Sequence, residues 1–393
     1  VKIVHVITDL AVGGAETMLV RLIRTSQREG LQHVVISLSR EAPLADRLVE
    51  LGVEVRVLGM RRGMPDIRTF RRLIRWLDEL EPDVVQTWMY HADLMGGAAT
   101  YGAQAARFLR GAHVKRPALL WGVHHTDLRL AGSARMTRWI ARACALISSR
   151  IPDRIVCCAE SAKASHRQGG YCAQRMTVIH NGIDLERFHA NPRAREMLRR
   201  SLGIGALTPL VGIVGRYHPV KDYGTFIAAM RIVIDAMPEC RFVMAGQGLD
   251  PSNDELAALL NAAGIAHACS LVGPQAEPQT LLAGLDVFCL SSSSEGLPTV
   301  IGEAMACEVP CVATDVGDTA LLIGTTGRVV PPQDPEALGR ALCSLLALPR
   351  DELTRLGHAA RRRIQSHFSI EASWRRYEET YVEALGKREQ SAI

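Results

Sequence analysis

No apolar run in this 393-residue chain approaches the roughly 18 residues that a membrane-spanning helix needs, so a helical integral membrane protein is excluded. Aromatic residues make up only 5%. No basic stretch is interleaved with them, which removes the nucleic-acid-binding modules and nucleic acid as a partner. There is no Gly-x-Ser-x-Gly elbow, no Walker-type glycine loop ending in Lys-Ser/Thr, and no Asp-x-Asp on a strand end. Low-complexity segments and short repeats are also missing. The ten cysteines include no CxxC pair. Cys144, Cys157, Cys158, Cys240, Cys289 and Cys311 fall inside apolar strand or helix patterns. They read as reduced core thiols of a cytosolic protein, with no metal site. The opening segment Lys2–Thr8 reads as a strand rather than a basic region followed by a long apolar one. No signal peptide is therefore expected, and a cytoplasmic location is.

What the chain does have is charge, unevenly spread. Residues 1–190 carry 27 Lys and Arg against 18 Asp and Glu, a net of +9, while the remainder carries 19 against 23, a net of −4. A basic half joined to a mildly acidic half implies different partners for each. An anionic membrane surface or an anionic lipid-linked ligand fits the basic half.

Apolar strand-like runs alternate with amphipathic helical runs from end to end, the pattern of parallel α/β sheets. Strands are predicted at Lys2–Ile7, Gln32–Leu38, Glu54–Leu58, Asp83–Thr87, Ala118–Val123, Arg154–Cys158 and Met176–Ile179. A second set falls at Leu210–Val214, Arg241–Ala245, Ala268–Val272, Asp286–Leu290, Val309–Ala313 and Gly327–Val330. The intervening helices include Ala15–Arg28, Asp66–Leu80, Tyr223–Ile234, Asp254–Ala263 and Pro335–Ala347. Asp184–Gly203 is rich in charge and has no strand pattern, so the boundary is placed there, giving domains 1–190 and 191–370. A last helix, Ile370–Leu385, carries Trp374, Tyr377 and Tyr381 on one side and is expected to pack on the first domain, with residues after Gly386 frayed.

The most informative junction is Glu295-Gly296-Leu297-Pro298-Thr299 through Glu303, where an apolar strand passes through Ser291–Ser294 into a helix. Strand carboxyl ends in open sheets face a ligand crevice, and a helix start there offers N–H groups to an anion. Read as eight helical residues, the two glutamates stand roughly 12 Å apart along the axis, the span of a sugar and diphosphate. Arg216 and Lys221 follow the first strand of the second half and either neutralise a diphosphate or form a solvated basic loop. Gly13 and Gly14 open the first helix, which suits a ligand's close approach or a plain turn. Gly246, Gly248 and Gly273 recur at strand ends, as crevice lining or as tight turns. His124, with His125 beside it, ends a first-half strand as a ligand contact or a capped loop residue. On Asp66–Leu80, Ile67, Phe70, Ile74 and Leu77 form a stripe opposite Arg68, Arg71, Arg72 and Arg75. Arg135, Arg138 and Arg142 recur beside Trp139, as a solvated face or a membrane-facing one.

Together these segments resemble family 4 of the retaining glycosyltransferases, with the GT-B fold of two Rossmann-like doubly wound domains facing a central cleft. The resemblance runs through Gly13–Glu16, Ile179–Asp184, Gly215–Asp222, Ala245–Gly248, residues 281–310 and the closing run from Phe368 to Tyr381. It implies a nucleoside-diphosphate sugar donor, UDP-sugar favoured, and a glycan or lipid-linked acceptor bound by the first domain. Glu303 would hold the donor ribose and Glu295 the transferred sugar. Backbone groups of Gly296, Leu297, Pro298 and Thr299 would hold sugar and phosphate, with Arg216 and Lys221 on the diphosphate. Gly13, Gly14 and Gly273 would border the donor, and His124 would be the family's site histidine. It implies retained configuration, no cofactor and no metal. The lack of a carboxylate suited to a double-displacement nucleophile favours a same-face mechanism, and the charge asymmetry favours a peripheral position on the inner membrane face. Where relatives carry an acid after the Val316-Gly317-Asp318 turn, this chain reads Thr319-Ala320-Leu321-Leu322. A GT-B epimerase or hydrolase and a silent sugar-nucleotide-binding partner are the alternatives.

Overall fold

The computed structural model describes residues 1–11, 13–27, 30–40, 42–60, 67–111, 116–124 and 135–390, the last four as backbone alone. His125, Asp66 and Arg28 lie outside the described residues. The chain forms two compact units, Val1–Gly182 with Ile370–Ile393, and Ile183–Ser369.

The first unit holds a seven-stranded sheet of β1 (Lys2–Ile7), β2 (Gln32–Ser39), β3 (Glu54–Met60), β4 (Val84–Trp88), β5 (Ala118–Val123), β6 (Arg154–Cys157) and β7 (Met176–Val178). Its order is β3-β2-β1-β4-β5-β6-β7, parallel throughout. The second unit's sheet contains β8 (Leu210–Val214), β9 (Arg241–Ala245), β10 (Cys269–Gly273), β11 (Val287–Leu290), β12 (Cys311–Thr314) and β13 (Arg328–Val330). They run β10-β9-β8-β11-β12-β13, again all parallel. Each predicted strand is found, within about two residues at either end. In both sheets the winding reverses once, between β1 and β4 and between β8 and β11. Connections on opposite sides of the reversal leave a crevice beyond the strands' carboxyl ends.

The boundary between the units falls at Gly182 and Ile183 rather than at 190. The charged segment after it is not a free linker. Asn191 caps a helix, Pro192–Ser201, by accepting from the Ala194 N–H at 3.1 Å. Arg195 and Arg199 on that helix each reach the Asp286 carboxylate at 2.6 Å. The charge density that reads as linker in sequence is thus spent on an ion pair inside the second unit.

The last helix, Ile370–Gln390, belongs to the first unit. Trp374, Tyr377 and Tyr381 are buried in the core that also holds Ile3, Ile7, Leu19, Val84, Trp88 and Leu120. Each such aromatic contributes roughly 1.5–3 kcal/mol by burial, and the helix runs past Gly386. On the Ile67–Leu80 helix the buried residues are Thr69, Leu73, Leu77 and Leu80. Ile67 is 67% exposed and so stands outside the stripe read from sequence. Phe70 and Ile74 are half-buried, Ile74 lying against Gly102 of the helix Tyr90–Leu109. The six cysteines read as core thiols are all buried, and none is disulfide-bonded.

Candidate active site

In the second unit the site grows from two adjacent strands at the reversal, β8 and β11. After β8 the chain makes a short 3-10 turn, Pro219–Lys221, begun by His218 Nδ1 accepting from the Val220 N–H at 3.3 Å. Asp222 follows in a left-handed conformation, φ 49°. Its carboxylate caps the helix Tyr223–Ala236, accepting from the Thr225 N–H and hydroxyl at 3.2 and 2.7 Å. This turn holds Lys221 near the sheet edge. The serine run after β11 grips the same turn: Ser291 Oγ donates to the Lys221 carbonyl at 2.7 Å, and the Ser293 N–H to the Val220 carbonyl at 2.8 Å.

Lys221 Nζ reaches Glu295 Oε1 at 2.6 Å, and Ser292 Oγ donates to the same oxygen at 2.7 Å. Both charged side chains are less than one-fifth exposed. A pair so enclosed is costly to break from one side, because the partner is left charged and poorly solvated. The Glu295 backbone is braced from behind. Gly317 has φ +57°, and a side chain there would run into the carbonyls of Glu295 and Gly296. The Asp318 N–H donates to the Gly296 carbonyl at 2.7 Å.

The helix carrying Glu303 begins at Thr299 and ends at Ala306, with Pro298 as its N-cap and no side chain capping it. Glu295 therefore sits in the approach loop. The eight residues to Glu303 are not one helical span, and the rise of roughly 12 Å does not apply. Leu297 and Pro298 are buried, and Glu303 is half-buried. Arg216 is exposed at the mouth of the β8 loop. Gly273 ends β10 at φ +66°, its N–H donating to the Leu249 carbonyl at 2.8 Å, so its turn alone demands glycine there.

In the first unit Gly13 and Gly14 separate. A side chain at Gly13 would collide with the Glu16 carboxylate, whereas one at Gly14 would meet nothing within 4 Å. Burial holds the Glu16 carboxyl above its ordinary range, its own backbone hydrogen bond opposing and Asp9 adding to the rise. Gly13 is thus explained by Glu16, while the absence of a side chain at Gly14 has no packing cause. His124 follows β5 and stacks on Trp88, ring centroids 5.0 Å apart and planes 20° apart. Sequence reading did not single out Trp88 or Met89, and it named Gly317 only as part of a turn. Gly317 could have been read from its place in the turn after β12.

The structure thus brings Lys221 and Glu295 into contact, with Gly296–Thr299 beside them, in a loop-to-helix junction at a sheet's carboxyl edge. Residues 12–187 match the family described as Glycosyltransferase Family 4, and residues 208–348 match Glycosyl transferases group 1. The chain belongs to glycosyltransferase family 4. The transferase is 26% identical over 80% of its length to the putative glycosyltransferase EpsF of Bacillus subtilis, covering 79% of that protein. It is 32% identical over 53% of its length to a lipopolysaccharide core mannosyltransferase, LpcC, of Rhizobium leguminosarum bv. viciae, covering 59% of it. Over 98% of the transferase and all of Anabaena Alr3699/HepE, solved in complex with UDP, the TM-score is 0.82 at 20% identity. That likeness establishes the GT-B fold. No helix among the described residues is long and apolar enough to cross a membrane.

Proposed function

We propose that this glycosyltransferase moves a hexosyl group from a UDP-sugar to a hydroxyl of a glycan or lipid-linked acceptor, with retained configuration and without a metal. The observation that carries the reading is the Lys221–Glu295–Ser292 cluster beside the uncapped start of the Thr299–Ala306 helix. Helix N–H groups and cations gathered at one point are what a developing diphosphate anion needs. Arg216 and Lys221 stabilise the leaving diphosphate, Glu295 contacts the sugar and Glu303 the ribose. Anabaena Alr3699/HepE, a structural neighbour solved with UDP and with UDP-glucose, supports the choice of donor. No carboxylate at this junction is assigned as a double-displacement nucleophile. The acceptor oxygen attacks the anomeric carbon on the face the diphosphate leaves, and its proton passes to the departing phosphate oxygen.

The first unit is assigned the acceptor, at the inner membrane face, with His124 as its site histidine, and Gly14 is assigned to the donor. Support for the surface role lies on the helix Arg135–Ile147. Trp139 and Leu146 are 65% and 84% exposed, and Arg135, Arg138 and Arg142 are exposed beside them. An exposed indole flanked by guanidinium groups suits the boundary of an anionic bilayer.

A panel of nucleotide-sugars, with and without lipid-linked and oligosaccharide acceptors and in excess chelator, tests the reading. Transfer to an acceptor is expected, at full rate in chelator. Donor consumed equally without acceptor would make the protein a hydrolase or epimerase, and binding without turnover a silent partner.

A further inference from the structure

Trp88 closes β4 at the reversal of the first unit's sheet and is fully buried. The His124 ring stacks on its indole at 5.0 Å, and the Tyr377 ring stacks at 6.1 Å with planes 27° apart. Its edge is held as well. The indole Nε1–H donates to His5 Nδ1 at 3.3 Å. An indole nitrogen only donates, so His5 carries its proton on Nε2, which meets His33 Nδ1 at 3.0 Å. His33 then carries its proton on Nε2 and donates to Ser26 Oγ at 2.9 Å, and the serine hydroxyl donates to the Ile23 carbonyl at 3.0 Å. One obligate donor therefore sets the direction of every bond in the series. His5, His33 and Ser26 are all buried, and burial lowers the proton affinity of both imidazoles.

The backbone beside Trp88 is held against its preference. Met89 has φ 77° and ψ 153°, a region that residues with a side chain almost never enter. Such strain persists only where the surroundings over-determine it. Here the Met89 N–H donates to the Gly122 carbonyl at 2.8 Å, and the Gly122 N–H to the buried Asp93 carboxyl at 3.3 Å. A side chain at Gly122 would stand 2.6 Å from the Thr87 carbonyl. The strand ends that carry Trp88 and His124 are thus buckled to each other two residues before His124.

We propose that Trp88 is a positioning residue that sets the plane of the His124 imidazole, its own orientation locked through His5, His33 and Ser26. This rests on reading His124 as a site residue. Filling the core would need volume alone. A directed N–H, a four-member hydrogen-bond series and a strained peptide add nothing to volume, but they fix the angle of a flat face. A histidine stacked on that face keeps one ring orientation, so its nitrogens point the same way before and after substrate arrives.

The test uses the full chain with its thirteen histidines labelled with ¹³C at Cε1. The His124 signal, assigned by its loss in His124→Gln, is expected upfield of the exposed histidines because it lies over the indole. Trp88→Leu should return it to the exposed position, and Trp88→Phe should move it part of the way. With the donor identified by the nucleotide-sugar panel, Trp88→Leu should lower kcat about 10-fold or more with donor KM within about twofold. Trp88→Phe should recover most of that loss. An unmoved His124 signal in either variant overturns the proposal, and so does unchanged kcat in Trp88→Leu. Should Trp88→Leu fail to fold, the Trp88→Phe shift decides. Full turnover in His124→Ala would instead remove the reading of His124, a result separate from the Trp88 signals.

Discussion

The two sheets reverse at equivalent points, yet the side chains gathered there differ in kind. In the second unit the reversal between β8 and β11 collects charge: Lys221 on Glu295, with Ser292 completing the oxygen's shell. In the first unit the rings of His33, His5, Trp88 and His124 run up to the reversal between β1 and β4, joined by stacking and one-directional hydrogen bonds, with His5 and His33 kept neutral by burial. The first unit is nevertheless the basic one by sequence. Its excess charge stands on outer helices, at Arg68, Arg71, Arg72, Arg75, Arg135, Arg138 and Arg142, all exposed. Net charge over a stretch of sequence therefore says nothing about the charge of the crevice that stretch builds. A diphosphate needs fixed cations, and those belong to the mildly acidic half.

The largest effect that would sharpen this contrast is loss of the second unit's cations. Arg216→Ala and Lys221→Ala should each lower turnover about 100-fold or more, near 3 kcal/mol of transition-state stabilisation, with the fold retained. For Lys221→Ala part of the loss comes through Glu295, whose carboxylate keeps only Ser292. Near-normal turnover in both variants would end the assignment of charge to that reversal.

Acid should strike the first unit's neutral rings. Burial holds His33 down at about 4, and His5 is lowered in the same direction. Between the ordinary histidine value and that lower one, the unfolded chain binds protons that the folded chain refuses. The contribution is therefore whole above about pH 6.5 and lost as pH falls towards 4, up to about 3 kcal/mol for His33 alone. Urea unfolding at pH 7 and pH 4.5 should show a smaller acid loss in His33→Gln than in the native chain. Equal losses would mean that His33 is not held neutral.

Within the second unit, Glu303 and Glu295 should separate. Glu303→Gln is expected to weaken UDP binding about 10-fold, as the loss of a charge-assisted hydrogen bond does. Glu295→Gln should leave UDP affinity within about twofold while reducing turnover. Calorimetry showing one common loss of UDP affinity would contradict the division.

The smallest effect belongs to the outer arginines. Each basic group near an anionic surface contributes up to about 1 kcal/mol, within a Debye length. Cosedimentation with phosphatidylserine-containing vesicles should be measurable at low salt and fade as salt rises. Trp139→Ala and the joint replacement of Arg68, Arg71, Arg72 and Arg75 with Gln should each reduce it. No binding at low salt would leave these helices as ordinary solvated faces.

Strand positions were legible because a buried parallel strand is a short apolar run bounded by turn residues, a pattern that β1, β5, β8, β9, β11 and β12 show clearly. The segment from Glu295 to Glu303 and the loop of Arg216 and Lys221 were legible because each follows such a run, and the packed last helix because Trp374, Tyr377 and Tyr381 fall on one side of it. Sequence by itself thus determined the two doubly wound sheets and the neighbourhood of the proposed donor site. It did not determine the Lys221–Glu295 pair, because the two lie on loops that follow strands brought together only by the β8–β11 pairing. Nor could it reveal that Asp184–Gly203 contains a helix clamped to Asp286, since charge bound for an ion pair looks like charge bound for water. The tautomers of His5 and His33, the strain at Met89 and the stack on His124 depend on residues up to a hundred or so positions apart. Hydrogen-bond direction and ring orientation are properties of partners in space, and only the tertiary structure supplies the partners.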